Sequence, residues 1–196
     1  AHVDDAAELS VALAAKYSRF VLMNGSVRGP FVPAYVGREL GHWTDLLGSL
    51  LSQTVKLAGT TINCQCARKP GSDDRCSPHV QSMVLVTDTI GLNVLLASGS
   101  VFKCYTEIYD VVYYSELGAS AVVREAGYDI ASLLIKYDGA TFVGPDTMAC
   151  NAKGNPTYQN HYDGNMLHPL EGMFVKSKAN QSTLADMVAL LSPPDL

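Results

Sequence analysis

The feature that most limits what this chain can fold into is its alternation of short apolar runs with amphipathic stretches. Phe20-Val21-Leu22-Met23 is wholly apolar and has the length of a strand, the kind buried on both faces in a parallel sheet. After a Gly/Pro-rich turn, Trp43, Leu46, Leu47, Leu50 and Leu51 recur at helical spacing and predict a helix with one packed face. Strands are predicted again over 55–62 and 82–86, separated by a polar loop over 63–78 that carries glycine, prolines and charges. Asp88 is placed to cap the helix that follows, which runs toward Ser98. Strands alternating with helices predict an α/β fold, a mostly parallel sheet flanked by helices.

The flanks are read the same way. Asp5-Ala6-Ala7-Glu8 is a capping box opening a helix that ends near Ser18. Further on, 115–126 predicts a helix with Gly127 as its C-cap, 130–137 a strand, 172–176 a strand-like piece and 183–191 a last helix ended by Ser192-Pro193-Pro194. No repeat or low-complexity segment divides the chain, so 1–196 reads as a single domain.

Composition bounds the function. With 47% hydrophobic and 17% charged residues, 196 residues suffice for a real core. A net charge of −5 with scattered basic residues offers no footprint for a phosphate backbone, so nucleic acid is not an expected partner. No apolar run reaches the roughly 18–20 residues that cross a bilayer. The chain begins Ala1-His2 without methionine, which suggests a processed or excised piece. Five cysteines at 64, 66, 76, 104 and 150 leave three readings open: one or two disulfides, buried thiols, or a zinc site from Cys64, Cys66, Cys76 and His79 with irregular ligand spacing.

In an open α/β sheet, ligands bind beyond the carboxyl ends of the strands, which directs attention to the loops at 24–31, 63–78 and 87–89. No G-x-x-x-x-G-K-[ST], G-x-G-x-x-G, G-x-S-x-G or H-E-x-x-H stands there, so kinase, dinucleotide-dependent dehydrogenase and serine hydrolase readings lose their main support.

Several segments in order carry a resemblance across nearly the whole chain. They are Phe20-Val21-Leu22-Met23-Asn24-Gly25-Ser26-Val27-Arg28-Gly29-Pro30-Phe31, His42-Trp43-Thr44, Val55-Lys56-Leu57-Ala58-Gly59-Thr60-Thr61-Ile62, Pro78-His79-Val80-Gln81-Ser82, Ser115-Glu116-Leu117-Gly118-Ala119-Ser120 with Ala126-Gly127-Tyr128, and Leu167-His168-Pro169-Leu170-Glu171. Together they resemble eukaryotic glycosyltransferase-like proteins of the GT-A class. The resemblance implies transfer of a sugar from a nucleotide-sugar donor to a glycan or glycoprotein acceptor, in the Golgi lumen or another secretory compartment. It implies only the C-terminal portion of a GT-A fold, because the βα elements that usually open such domains and hold the nucleotide base have no counterpart before Asn24.

Residue roles follow from the resemblance. Asn24-Gly25-Ser26 occupies the position of the Asp-x-Asp motif that holds Mn²⁺ or Mg²⁺ and the diphosphate. That implies Asn24, Ser26 and His168 as metal ligands, and Asn24, Gly25, Ser26, Arg28 and His168 as the donor site. Hard cations favour carboxylates, so the missing aspartates put metal dependence in doubt. Glu116 stands where the resemblance implies the base that takes the acceptor's proton; helix-terminal capping is the competing explanation. His79 and Gln81 precede a predicted core strand, and because imidazole and amide groups suit hydroxyl recognition they are expected, with Glu171, to face substrate; Glu171 alternatively orients His168 or, with Glu116, forms a hydrolase-like carboxylate pair. Turn formation competes for Asn24, Gly25 and Gly29, a solvated charge for Arg28, a structural histidine for His79, and core packing for Trp43. Asn180-Gln181-Ser182 is a glycosylation sequon that agrees with lumenal exposure. The alternative to an enzyme is a degenerate, non-catalytic module assembled with other protein subunits.

Overall fold

The computed structural model describes residues 11–12, 15–67, 76–144 and 154–176. The predicted capping box at 5–8, the helix at 183–191 and the sequon at 180–182 lie outside them.

The described chain has mixed α/β content around a four-stranded sheet of order β1-β6-β3-β7. Its strands are β1 (Arg19–Met23), β3 (Val55–Gly59), β6 (Val84–Asp88) and β7 (Asp129–Ser132). Two short ladders flank it: β2 (Val27–Arg28) with β8 (Val175–Lys176), and β4 (Ile62–Asn63) with β5 (His79–Val80). The helices are α1 (Ala34–Leu40), α2 (Trp43–Gly48), α3 (Thr89–Ala97), α4 (Ile108–Asp110), a π-helix (Val111–Glu116), α5 (Leu117–Glu125) and α6 (Pro169–Gly172), with a 3₁₀ turn at Ile135–Tyr137.

The expectation of a mostly parallel sheet is corrected. Only β3 and β7 pair in parallel; β6 is antiparallel to both neighbours. The cause is the connection between β3 and β6. Its described residues form the β4/β5 ladder and no crossover helix, and the chain returns antiparallel. Strands β1, β3 and β7, which do have helices between them, share one direction. Strand β1 is also not buried on both faces: it is the sheet's edge, with Val21 and Met23 exposed, because no further strand covers it among the described residues.

Residues on β3 alternate between two cores. Leu57 joins Ile62, Leu95, Val123, Ile130 and Phe142 on one face, while Ala58 joins Leu47, Val84, Val86 and Phe174 on the other. The predicted α2 packs as its leucine spacing requires, and Trp43 meets Phe174 edge-on at 5.1 Å, so that residue is a packing residue. Asp88 caps α3 as expected: its Oδ1 accepts from the Gly91 amide at 2.9 Å. A Cβ at Gly91 would run into the Thr87 hydroxyl and the Lys56 carbonyl, so α3 sits directly on the strands. At the end of α5, Gly127 takes φ +84° and its amide bonds the Arg124 carbonyl at 2.9 Å, while the Tyr128 amide bonds Val123 at 3.1 Å, a Schellman end. The strand predicted over 130–137 is shorter than expected, because Leu134 leads into the 3₁₀ turn.

Candidate functional site

Beyond the carboxyl end of β3 the chain collects polar residues that are buried: Thr60, Thr61, Asn63, His79, Gln81 and Asn155. Thr61, Gln81 and Asn155 are joined by hydrogen bonds, as buried polar groups usually are, whereas the Thr60 hydroxyl has no partner among the described residues. The Gln81 carboxamide oxygen accepts from the Thr61 hydroxyl at 2.7 Å, and its amide nitrogen donates to Asn155 Oδ1 at 3.4 Å. Asn155 Oδ1 also accepts from the Thr157 amide and hydroxyl, at 3.0 and 2.7 Å. This network forms the floor of a cleft of about 560 Å³.

One wall of the cleft comes from Asn63, Gln65 and Cys66; the facing wall comes from Ile108, Tyr109, Val112, Glu116 and Leu117. The facing wall follows from the π-helix. Its wider turn presents Val112 and Glu116 toward the same space before α5 resumes at Leu117, the kind of local departure from α geometry that recurs at functional sites. Tyr109 and Tyr158, 55% and 53% exposed, stand on the rim, and Lys176 from β8 is the one cation in the lining among the described residues.

Within the cleft, Glu116 has no hydrogen-bonding or ion-pair partner among the described residues. His79 is 1% exposed, and its Nδ1 lies 2.8 Å from the Ser77 carbonyl. A carbonyl only accepts, so Nδ1 carries the proton and Nε2 the lone pair. Burial lowers the His79 pKa from its ordinary 6.5, opposed by the Ser77 hydrogen bond and by the charge on Glu116, and the ring stands neutral above that value.

Three of the residues singled out from sequence, Glu116, His79 and Gln81, thus share one cleft. The others lie elsewhere. Asn24 Oδ1 accepts from both the amide and the hydroxyl of Ser26, at 2.9 and 2.8 Å, which closes a turn after β1, and a Cβ at Gly25 would meet open space. With Asn24's oxygen so engaged and no carboxylate beside it, Asn24 and Ser26 do not fit a hard divalent cation. His168 is the N-cap of α6, its Nδ1 accepting from the Leu170 amide at 3.2 Å. Among the described residues no group of three or more His, Cys, Asp or Glu is placed to hold a metal ion. Arg28 is exposed on β2, outside the cleft lining. Glu171 neither orients His168 nor pairs with Glu116: its Oε1 accepts from the Tyr162 hydroxyl at 2.6 Å, and this carboxylate together with burial drives the Tyr162 pKa upward.

The zinc reading is likewise corrected. Cys66 and Cys76 form a disulfide, and Cys64 is also disulfide-bonded, so none of the three offers a thiolate. Because Cys66 stands in the cleft wall, the bridge anchors that wall to the strand entering at His79. The Cys66→Ser/Cys76→Ser pair is expected to lower stability by about 2–4 kcal/mol. It should also weaken any cleft ligand; calorimetric melting of the wild type and the double variant checks the first effect.

Residues that sequence reasoning missed are Asn155, Tyr158, Tyr109 and Lys176. Asn63 and Gln65 fell in a loop already marked as a candidate. Asn155 and Tyr158 lie in a stretch without periodicity, where only the fold reveals what they face. No protein family, curated protein or solved structure matches this chain.

Proposed function

We propose that the cleft is the site of a nucleotide-sugar-dependent glycosyltransferase. The observation that carries this reading is the convergence of Glu116, His79 and Gln81, from the π-helix and from the segment flanking β5, on one cleft lined by amides and bordered by tyrosines. Amide groups of Asn63, Gln65 and Asn155 suit a polyhydroxylated ligand, and exposed tyrosine rings suit the apolar face of a sugar. Lys176 supplies the positive charge for the donor's diphosphate, in place of Arg28. The disulfide between Cys66 and Cys76 agrees with an oxidising compartment such as the Golgi lumen.

A second reading has a specific observation behind it. The Asn24-Gly25-Ser26 turn satisfies itself and holds no carboxylate, as in a transferase-like domain kept as a binding module among other subunits. Titration calorimetry with a panel of nucleotide sugars, with and without Mn²⁺, separates the two. The enzyme reading expects binding and donor turnover, with Lys176→Ala weakening donor affinity about tenfold, the loss of one charge-assisted contact at about 1.4 kcal/mol. No affinity for any donor, together with stable stoichiometric association with other proteins, would establish the binding module instead.

A further inference from the structure

The sequence resemblance assigns the acceptor's proton to Glu116, but the geometry points to another atom. We infer that His79 Nε2 is the proton acceptor of the cleft, with Glu116 as the positioning residue that stabilises the imidazolium. This rests on the sugar-transfer reading for its substrate and on the cleft alone for its chemistry.

The tautomer is the first support. Nδ1–H is committed to the Ser77 carbonyl, which holds the ring in plane and leaves Nε2 as the basic nitrogen. Nε2 has no hydrogen-bond partner among the described residues, and the ring, though 1% exposed, belongs to the lining of the cleft. The second support is the environment. The Ser77 hydroxyl is itself fixed by Arg124 Nη1 at 2.6 Å, so the ring's anchor is held from α5. Among the described residues, the charged and titratable groups that line the cleft with the ring are Glu116 from the π-helix, Tyr109 from α4, Tyr158 from the 154–165 segment and Lys176 from β8. Of these, Glu116 is the one whose charge bears on the imidazole, and it favours the protonated form.

The step balances without a further reactant. The acceptor hydroxyl's O–H bond breaks and its proton passes to Nε2. The oxygen lone pair so freed forms the bond to the sugar's anomeric carbon. The bond from that carbon to the donor diphosphate breaks, and its electron pair leaves with the diphosphate. Imidazolium and the Glu116 carboxylate then face each other as opposite charges, where before the step one neutral ring faced one charge.

The test has two arms. In the wild-type protein, ¹⁵N-detected NMR of the imidazole is expected to show the Nδ1–H tautomer at pH 7, with Nε2 unprotonated; an Nε2–H ring overturns the inference whatever the catalytic outcome. In transfer assays His79→Gln is expected to lower kcat by about 10²–10⁴-fold while leaving donor Kd within about threefold, and to abolish the acid limb of the pH–rate profile. Glu116→Gln is expected to keep that limb and move it to lower pH, because the charge that raised the His79 pKa is gone. Retention of the limb in His79→Gln, or its loss in Glu116→Gln, returns the proton to Glu116 and overturns the inference. If the wild type transfers no sugar from any donor, the transferase reading fails by itself, and the tautomer still decides whether His79 is the cleft's base.

Discussion

Replacing Lys56 by methionine is expected to lower the unfolding free energy by about 3 kcal/mol, toward the lower end of the range for breaking a buried ion pair. Lys56 lies on β3 and is almost fully buried, yet its ammonium is doubly held: Nζ donates to Asp88 Oδ2 at 2.6 Å and to the Ser52 carbonyl at 2.8 Å. Methionine conserves the aliphatic stem and removes both bonds, so the deficit reads the charge and not a cavity. Asp88 then keeps its negative charge beside an apolar neighbour. Its side chain retains 23% exposure, which lets water reach one face and keeps the cost from the upper end.

Asp88 also caps α3 through Gly91, so its own replacement removes two interactions at once. Asp88→Asn preserves an acceptor for the Gly91 amide, which makes it the better second arm of a double-mutant cycle. The Lys56→Met/Asp88→Asn protein is expected to regain part of the loss, because no charge is left unpaired. Urea denaturation at constant m-value measures each difference. A Lys56→Met loss below about 1 kcal/mol would show that the pair is already solvated in the native protein.

That same pair illustrates what a sequence shows and what it hides. Asp88 as the cap of a helix was legible, because an acceptor before an apolar stretch is a local signal. Lys56 as its partner was not, since the pairing depends on β3 and β6 being neighbours. The sheet's direction was misread for a related reason. Alternation of strand and helix argues for parallel strands only where a helix intervenes, and none is predicted between the strands at 55–62 and 82–86, which was itself the sign that β6 would return antiparallel. The apolar run at 20–23 fits a buried strand by composition, but composition does not say which strand stands at the edge.

The candidate site divides along the same line. His79 and Gln81 were singled out from residue types before a predicted strand and Glu116 from the resemblance at a predicted helix start, and the fold brings all three to one cleft. Asn24 and His168 were singled out by motif position. In the structure each performs a local backbone task, a turn closure and a helix cap, that its residue type does well anywhere. The π-helix that aims Val112 and Glu116 has no recognised signature in Val111-Val112-Tyr113-Tyr114-Ser115-Glu116. It emerges from packing, where Tyr114 lies between Tyr105 and Tyr113.

Glu116→Gln is the change expected to act most strongly on function and least on the fold. The carboxylate has no ion pair or hydrogen bond to lose among the described residues, and glutamine has the same shape, so stability at pH 7–8 should stay within about 0.5 kcal/mol of wild type. Turnover should fall by about 10²-fold or more, because the imidazolium formed at His79 loses the charge that faces it. The two effects diverge further with pH. Burial depresses the folded-state pKa of His79, so at acidic pH the unfolded chain binds a proton that the native state resists. The stability tied to this residue is therefore complete above 6.5, the ordinary value, and is lost as pH falls through the folded pKa. Glu116 opposes that depression, and without its charge the folded pKa drops further. Glu116→Gln should then lose more stability than wild type in total as pH falls below 6.5, while a His79→Gln protein loses the dependence itself. Thermal melts of the three proteins across that range, read beside their pH–rate profiles, test the coupling of these two side chains without any assumption about the sugar. Parallel melting curves for wild type and Glu116→Gln would show that the carboxylate does not act on the ring.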